Sequence, residues 1–357
     1  MKLLPELKLA IIGCGRISYH YLKLFEDDEL LQKFKVVACM DIVPERAINL
    51  AKDFRAKPFS DLSVLINLEE IDLYIVATPS GTHFEVCKLL LENQKNVLVE
   101  KPSTLLIKDS EILVEIALKN NLFLGCIHQN RFNKAIIEAH NLLEQKMLGE
   151  ITHFSVRLRW SRDQEYYNDG WHGKWIMDGG VIAQQAYHHL DVLLFLLGDF
   201  KSVFSIGDKR KHYLEADDTS VANFIMQSGA LGTFEATTTI LNRDLEASIE
   251  IFGSEGYIKI GGIGLNEIQE LESTLCPVNF RRKLLNVKTK IDSGYGIGHK
   301  ALINDVISSI NSSKKSYKVT WGDSVKTLKL IHSIYASQEL RREVLATENL
   351  TSSRLGV

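Results

Sequence analysis

Gly13, Gly15 and Ser18 have the spacing of a turn that binds the pyrophosphate of a dinucleotide, with Ser in place of the third Gly. They follow the short apolar run Leu9–Ile12, which is typical of a strand, and precede a helical pattern at Tyr19–Leu30. Gly13 permits a tight turn, Gly15 lets the backbone approach an anion, and the helix directs its N–H groups and dipole at that anion. We expect the pyrophosphate to lie over Gly13, Gly15, Arg16 and Ile17.

An acidic residue, Asp41, directly follows the second predicted strand, Val36–Met40. A carboxylate at that place accepts hydrogen bonds from the adenosine ribose and repels a 2′-phosphate. The sequence therefore predicts NAD rather than NADP as cofactor, although Arg46 leaves some room for the phosphate form. The alternative is a strand–helix turn that binds nothing. The glycine spacing, the helix and Asp41 all argue against that alternative.

Two further loops follow apolar runs of strand type, and ligands of doubly wound sheets bind beyond the carboxyl ends of the strands. The first holds Thr78, Pro79 and His83, which we expect to line the nicotinamide side. The alternative is a proline–glycine turn capped by Thr82, and the two interpretations can hold together. The second is Glu100–Lys101–Pro102. A lysine near the positive charge of an oxidised nicotinamide has a lowered pKa and can accept a proton. The alternative for this triplet is an exposed charged turn.

A third candidate group lies at Asp178–Asp191, where two glycines open a predicted helix. Gln184 and His188 are four residues apart, so we expect them on one helical face, where they could orient a hydroxyl and transfer its proton. The alternative is a polar helix end or a buried structural histidine, which is our interpretation of His189. Zinc-type histidine spacing does not occur, and we predict no metal.

The composition is that of an ordinary globular protein. Over 357 residues, 45% are hydrophobic, 24% are charged and the net charge is −3, so we expect neither nucleic acid nor a membrane as partner. The N-terminal residues MKLLPELK carry a proline and a glutamate where a secretory signal needs apolar residues. The cysteine count is odd and CxxC is absent, which favours reduced thiols and a cytoplasmic location.

Strand and helix patterns alternate up to about residue 127, and antiparallel patterns follow. The first predicted strands are Leu9–Ile12, Val36–Met40, Leu73–Ala77, Val97–Val99 and Leu122–Cys126. Fully apolar strands alternating with helices indicate a doubly wound parallel sheet, a Rossmann domain at 1–127. Residues 128–357 predict an α+β domain with a large, mostly antiparallel sheet and helices on one side. Its open face would bind a second subunit, giving a homodimer or homotetramer.

The motifs GCGRIS, TPSGTHFEV, VEKP, the helix GG…HxxD and GHKALINDV together resemble the Gfo/Idh/MocA oxidoreductase family over nearly the whole chain. The resemblance implies NAD-dependent oxidation of a hydroxyl group, with Lys101 and His188 at the family's lysine and histidine positions. Gln184 stands where the family frequently has aspartate. Because an amide cannot act as a base, the proton chemistry would rest on Lys101 and His188. We count Glu100 and Asn130 among the cofactor-binding residues.

A closer resemblance, to the bacterial UDP-N-acetylglucosaminuronate 3-dehydrogenases, rests on HQNRFN, DGGVIAQQAYHHLD and the run from Arg159 to Trp175. It departs from them at Ala183 and Ala186. The resemblance implies oxidation of a sugar C3 hydroxyl in surface-polysaccharide synthesis. We expect a uronate or diphosphate to pair with Arg131, Arg159 and Arg162. We expect a sugar or uracil to stack on Tyr166, Tyr167, Trp171 and Trp175. The alternative is that some aromatics are core and that Arg157 and Arg159 form a solvated strand face.

Other functions of different classes remain open at this point. Relatives that use NAD transiently to hydrolyse glycosides would release an aglycone with no net reduction, and some relatives are non-catalytic sensors of the cofactor. Within the enzyme class, the reaction could be the reduction of a ketosugar or the oxidation of a free polyol such as inositol.

Overall fold

The computed structural model describes residues 7–68, 70–291, 298–311 and 317–357. The chain divides into two compact units. The first comprises residues 1–127 and 299–324, and the second comprises 128–298 and 325–357. The segment 299–324, which the sequence prediction assigned to the second domain, thus belongs to the first unit. The first six residues, on which the N-terminal prediction partly rests, lie outside the described residues.

The helices and strands follow one another in regular alternation only in the first third of the chain. The strands are β1 (Leu7–Ile12), β2 (Phe34–Met40), β3 (Lys57–Phe59), β4 (Leu73–Val76), β5 (Val97–Val99), β6 (Leu124–Cys126), β7 (Ile151–Arg159), β8 (Phe200–Asp208), β9 (Thr219–Met226), β10 (Leu231–Thr237), β11 (Glu246–Gly253), β12 (Gly256–Gly261), β13 (Glu267–Ser273) and β14 (Val344–Leu345). The α-helices are α1 (Arg16–Leu24), α2 (Asp28–Leu31), α3 (Pro44–Phe54), α4 (Leu62–Leu68), α5 (His83–Glu92), α6 (Ile107–Lys119), α7 (Lys134–Glu144), α8 (Gln164–Tyr167), α9 (Gly180–Ala183), α10 (Tyr187–Leu197), α11 (Val278–Leu285), α12 (Gly298–Asn311) and α13 (Trp321–Leu340).

The first unit contains a six-stranded parallel sheet in the order β3-β2-β1-β4-β5-β6. The central strands β4 and β5 consist entirely of buried aliphatic and aromatic residues, as expected when helices cover both faces of a sheet. The strand order reverses between β1 and β4. Loops that leave the carboxyl ends of strands at such a point form the ligand site of doubly wound folds. The predicted Rossmann architecture is confirmed.

The second unit contains an eight-stranded sheet in the order β13-β12-β11-β7-β10-β9-β8-β14. All neighbours are antiparallel except β7 and β10, which run parallel. Leu158 and Val156 of β7 are buried, whereas Arg157 and Arg159 alternate with them on the other face. This sheet confirms the predicted mostly antiparallel architecture.

The helix that we predicted to open at the two glycines within Asp178–Asp191 forms two. Helix α9 ends at Ala183, and α10 begins at Tyr187. Between them the Ala186 amide donates to the Val181 carbonyl, five residues back, at 2.8 Å, a wider turn than the α-helix allows. The prediction that Gln184 and His188 share a single helical face is therefore wrong.

Candidate functional site

The glycine turn between β1 and α1 is held against the loop after β4. Gly13 has a φ of +95°, and a Cβ there would lie 2.6 Å from the carbonyl oxygen of Ala77. A Cβ on Gly15 would meet open space. Only glycine therefore fits at position 13, while the space beside Gly15 is available to an anion at the start of α1. Arg16, the first residue of α1, is exposed, and Ile17 is half-buried.

Asp41 ties the end of β2 to this turn. Its carboxylate accepts hydrogen bonds from the backbone amides of Cys14, at 2.8 Å, and Val43, at 2.9 Å. Each oxygen has a further lone pair with which it can accept a hydrogen bond from a hydroxyl group. Arg46 is the third residue of α3 and is exposed. The carboxylate is thus fixed beside the glycine turn.

The loop after β4 is joined to the loop after β5 by His83. Its Nε2 lies 2.9 Å from the Thr78 carbonyl oxygen and its Nδ1 lies 2.7 Å from the Pro102 carbonyl oxygen. Burial is the main cause that lowers the pKa of His83 to about 4. The Thr82 hydroxyl donates to the Pro79 carbonyl at 2.7 Å. His83 therefore lies between the two loops, and its neutral imidazole can donate to one of the two carbonyl oxygens. Its contact with the nicotinamide stays a prediction.

Lys101 follows β5 and is half-buried. Its neighbour Glu100 is buried, and the carboxylate of Glu100 accepts a hydrogen bond from the Tyr21 hydroxyl at 2.5 Å. The backbone amide of Lys101 contacts the other carboxylate oxygen at 3.2 Å. Glu100 is thus held inside the protein beneath Lys101. Tyr21 escaped the sequence prediction because a tyrosine on an apolar helix face gives no separate signal.

These features of the first unit fit a dinucleotide. A glycine turn with free space above it, a helix that starts beside it and an ordered carboxylate at the end of β2 are the three parts such a site needs. NAD, when bound, supplies a hydride acceptor.

In the second unit, His188 lies in the first turn of α10, and Gln184 caps the end of α9. Both side chains are partly exposed. The glycine pair before them is required by the fold, since Gly180 has a φ of +79° and its Cβ would lie 2.4 Å from an Asp217 carboxylate oxygen. His189 is buried, and in the described part of the chain its two ring nitrogens have no hydrogen-bond partner.

Four side chains after β7 form a continuous stack of aromatic and cationic groups, which we call the stacked column: Trp171, His172, Tyr166 and Arg162. The ring centroids of Trp171 and His172 are 3.6 Å apart, and those of His172 and Tyr166 are 4.0 Å apart. The Arg162 guanidinium lies 5.4 Å from the Tyr166 ring and 5.1 Å from the ring of Trp160. His172 contacts Asp169 at 2.5 Å. Such a surface can stack against a planar base or a sugar face and attract an anion.

Trp160, next to the stacked column, carries a buried Nε1–H that, among the described residues, has no hydrogen-bond partner. Its ring meets the edge of His189, with the two centroids 6.1 Å apart. The Tyr166 hydroxyl accepts a hydrogen bond from Gln185 at 3.1 Å. The column thus extends to the segment between α9 and α10. His172 escaped the sequence prediction because its contacts depend on the folding of the loop.

The predicted anion-binding arginines meet three different environments. Arg131 makes a bidentate ion pair with buried Asp191, at 2.9 and 2.7 Å. Arg159 lies on the open face of the sheet and pairs with Glu235 and Glu246 at 2.6 and 3.0 Å. Arg162 pairs with Asp244 at 3.1 Å. Among these, Arg162 is the one in the stacked column.

Two of the four predicted stacking residues are outside the stacked column, although the Tyr167 ring meets that of Tyr166 edge-on, with centroids 5.0 Å apart. Tyr167 is buried, and its hydroxyl lies 2.7 Å from the Thr238 hydroxyl. The Trp175 ring packs edge-on against Tyr335, with ring centroids 5.1 Å apart. The guanidinium carbon of Arg354 lies over the Trp175 ring, 4.3 Å from its centroid. Tyr167 therefore belongs to the core, and Trp175 contacts the C-terminal segment.

Asn130 lies in a short 3-10 helix, Gln129–Phe132, and is buried. Within the described ranges its side-chain oxygen has no hydrogen-bond partner. An amide acceptor in that state is available to a ligand.

Over the described residues, no group of three or more histidine, cysteine or acidic side chains is arranged to hold a metal ion. In the same part of the chain, none of the helices has both the length and the apolar character that crossing a membrane requires.

Comparison with known proteins agrees with both units. Residues 7–128 match the model of the oxidoreductase family with an NAD-binding Rossmann fold, and residues 136–259 match the GFO/IDH/MocA C-terminal domain. The scyllo-inositol 2-dehydrogenase (NAD(+)) of Bacillus subtilis is 26% identical over 269 residues, 72% of this chain and 74% of that protein.

Two solved structures resemble nearly the whole chain. The WlbA dehydrogenase of Bordetella pertussis, in complex with NADH and UDP-GlcNAcA, has a TM-score of 0.85 at 27% identity and covers 96% of this chain and 99% of its own. The WlbA dehydrogenase of Chromobacterium violaceum, with the same two ligands, has a TM-score of 0.87 at 27% identity and covers 97% and 99%.

The matched models together span well over half of the chain, and they agree with the glycine turn, the strand order and the second sheet. The chain is an NAD-dependent oxidoreductase that acts on hydroxyl groups, and it belongs to the Gfo/Idh/MocA family.

Proposed function

We propose that this protein oxidises the C3 hydroxyl of a UDP-N-acetylhexuronate, UDP-GlcNAcA, to the 3-keto sugar with NAD, in surface-polysaccharide synthesis. The observation that carries the proposal is the likeness, over nearly the full length, to two dehydrogenases solved with NADH and UDP-GlcNAcA. The stacked column supports it, because a nucleotide sugar offers both a planar base and anionic groups.

In the proposed reaction, the carbon that bears the hydroxyl loses a hydride and the hydroxyl oxygen loses a proton. We assign the proton to Lys101 or His188. Lys101 can lose its positive charge beside an oxidised nicotinamide, and His188 carries an imidazole, the group that serves most often as a general base. Gln184 would orient the hydroxyl, because its amide donates and accepts hydrogen bonds but cannot take the proton.

For the cofactor, the proposed contacts are the turn at Gly13–Ile17 for the pyrophosphate and Asp41 for the ribose. The available side-chain oxygen of Asn130 accepts a further hydrogen bond from the cofactor. His83 acts by fixing the Thr78 and Pro102 loops. NADP would be weaker, since Asp41 repels a 2′-phosphate.

For the substrate, we propose that Arg162, Tyr166 and Trp171 of the stacked column make the principal contacts. Substrate binding by Arg131 and Arg159 stays a prediction. Their ion pairs with Asp191, Glu235 and Glu246 do not favour it, because these guanidinium groups already have acidic partners. The same holds for Tyr167 and Trp175, which pack within the protein.

The direct test is near-ultraviolet absorbance of the purified protein with NAD and a panel of UDP-sugars, with and without 2-oxoglutarate to recycle retained NADH. We expect NADH to form with the N-acetylglucosaminuronate and not with neutral UDP-sugars. Turnover only with 2-oxoglutarate would mean that the cofactor stays bound between cycles. No reduction with any UDP-sugar, in protein that binds NAD, would contradict the proposal.

Variants then separate the two candidate bases. Lys101→Ala and His188→Ala are each tested for turnover and for NAD binding. The base should lose about two to four orders of magnitude in kcat while NAD binding stays close to normal. Lys108→Ala, on an exposed part of α6, is the control for removal of a lysine. Near-normal turnover in either variant removes that residue from the role.

A second candidate substrate is a free polyol, favoured by the match to an inositol dehydrogenase over 72% of the chain. Inositols lack the anionic and planar groups that the stacked column would serve. The same absorbance assay with scyllo- and myo-inositol distinguishes the two substrates. Release of an aglycone from a glycoside without net NADH would instead favour the hydrolase alternative.

We also propose that the protein forms a homodimer or homotetramer through the open face of the second sheet, and that it is cytoplasmic. Phe204, Leu231 and Phe252 line a groove of about 590 Å³ on that face. All five cysteines are buried and unbridged, which fits a reducing compartment.

A further inference from the structure

The first unit contains a buried, hydrogen-bonded pair of ionisable side chains, Tyr21 and Glu100, and Glu100 directly precedes Lys101 in the chain. Tyr21 is fully buried in α1, and Glu100 is 8% exposed after β5. The Tyr21 hydroxyl donates to one carboxylate oxygen at 2.5 Å. Burial raises the pKa of Glu100, and the hydrogen bond from Tyr21 and the charge of Lys101 oppose that rise.

The second carboxylate oxygen of Glu100 faces the next residue. The Lys101 backbone amide approaches it at 3.2 Å, so the carboxylate is held between α1 and the loop that follows β5. A carboxylate held in a medium of low dielectric acts strongly on a neighbouring amine, because little solvent screens the interaction. The charge of Glu100 therefore influences both the position and the basicity of Lys101.

Other titratable groups lie around the Tyr21–Glu100 pair. From β6, the Cys126 thiol lies 4.0 Å from the Glu100 carbonyl oxygen. From α12, His299 meets the Tyr21 ring edge-on, with centroids 5.9 Å apart. His20 lies 3.2 Å from His299, and Tyr317 donates to the Cys126 carbonyl. Burial lowers the pKa of both histidines, His299 to about 3, so both are neutral at neutral pH.

We propose that Tyr21 is a positioning residue for the proposed reaction: its hydroxyl keeps the Glu100 carboxylate charged and in place, and Glu100 in turn sets the orientation and charge state of Lys101. The inference rests on the proposed function in that Lys101 is a candidate base. Its physical content, a coupling between Tyr21 and the Lys101 amine, can be measured without any substrate.

The test is the pKa of the Lys101 amine in the full-length protein saturated with NAD. The pH dependence of its acetylation by trace acetic anhydride, followed by peptide mass spectrometry, gives this pKa directly. In Tyr21→Phe the carboxylate loses its donor and becomes protonated more readily, so Lys101 loses a negative neighbour. We expect the pKa of Lys101 to fall by at least about half a unit, and by a similar amount in Glu100→Gln.

The double variant decides whether the two residues act in series. If Tyr21 acts through Glu100, the Tyr21→Phe change has no further effect once Glu100 is glutamine. Tyr74→Phe, which removes a fully buried tyrosine side chain's hydroxyl from β4 of the same unit, is the control and should leave the pKa of Lys101 unchanged. With an identified substrate, the acid limb of the kcat/KM profile should move to lower pH in Tyr21→Phe.

Three results would overturn the proposal: an unchanged Lys101 pKa in Tyr21→Phe, a shift in the double variant equal to the sum of the single shifts, or an equal shift in Tyr74→Phe. Should Tyr21→Phe fail to fold, an unchanged Lys101 pKa in Glu100→Gln has the same meaning. Failure of the proposed function appears separately, as the lack of sugar oxidation by wild-type protein whose Lys101 titration responds as expected.

Discussion

Residues that look alike in the sequence have different roles in the structure because each meets a different partner. Arg131 neutralises a buried carboxylate, Arg159 pairs with two glutamates on an open sheet face, and Arg162 stacks on aromatic rings. His188 is partly exposed, whereas its neighbour His189 is fully buried. The partner of a side chain, more than its type, therefore decides whether it can serve a ligand.

Cofactor preference is expected to depend on Asp41. Asp41→Ala removes a hydrogen-bond acceptor for the ribose and a repulsive charge toward a 2′-phosphate. NAD binding should weaken by about tenfold or more, while NADP binding should improve or stay constant. Dissociation constants for both cofactors, from fluorescence titration, measure this directly. Asp53→Ala, which removes an exposed carboxylate from α3, is the control, and an unchanged NAD/NADP ratio in Asp41→Ala would contradict the role of Asp41.

The stability of the protein is expected to fall in mild acid, partly through His189. Burial lowers its pKa from 6.5 to about 4, so between these values the unfolded chain binds a proton that the native protein does not. Stability is therefore lost as the pH falls below about 6.5 and levels off below about 4.

His189→Phe removes this titration. Between pH 7 and pH 5 the loss of unfolding free energy should be smaller than in wild type by about 2 kcal/mol. Urea denaturation at both pH values provides the measurement. His140→Phe is the control because that ring is not fully buried, and equal pH dependence in wild type and His189→Phe would show that His189 does not contribute.

At the scale of elements, the second unit depends on the connection between the Gln129–Phe132 turn and α10. Asp191 of α10 accepts bonds from Arg131 and Thr327 and lies 2.7 Å from the His128 ring. Although burial alone would raise the pKa of Asp191, these cationic neighbours hold it well below its usual value. This cluster fixes the start of α10, where His188 lies.

Arg131→Ala should therefore act on folding. It leaves a buried carboxylate without its bidentate partner, which costs about 3–5 kcal/mol of unfolding free energy. Arg162→Ala is the matched comparison: it should raise KM for the sugar about tenfold or more with little change in Tm. Thermal unfolding and steady-state kinetics of both variants test this, and a raised KM at normal Tm in Arg131→Ala would restore it as a substrate ligand.

At the scale of the whole molecule, the second sheet presents one face to its helices and leaves the other open. Apolar side chains on the open face, such as Leu231 at 58% exposed and Val221 at 46%, alternate with the buried positions of the same strands. A face of this kind is typically covered by a second subunit.

Leu231→Asp places a charge on that face and should shift the protein toward monomer, as seen by light scattering after gel filtration. Leu118→Asp, at an exposed position of α6 in the first unit, is the control and should leave the mass unchanged. A wild-type protein that is monomeric at micromolar concentration would contradict the oligomer proposal.

The sequence by itself predicted the elements whose signals are local. Gly13 and Gly15, Asp41 after β2 and the apolar strands β4 and β5 follow from backbone conformation and hydrophobic pattern, which neighbouring residues determine. The Rossmann sheet and the mostly antiparallel second sheet were predictable for the same reason. The family could be named from short motifs that lie at the ends of these strands.

Only the tertiary structure decided which side chains meet. The break between α9 and α10 separates Gln184 from His188. The sequence did not reveal this break because the helical spacing of hydrophobic residues continues through it. The pairing of Arg131 with Asp191 and the bond from Tyr21 to Glu100 join residues distant in the chain. The stacked column around Tyr166 is closer in sequence, but it depends on how its loop folds. Contacts of this kind depend on the packing of whole elements, and hydrophobic periodicity carries no information about them.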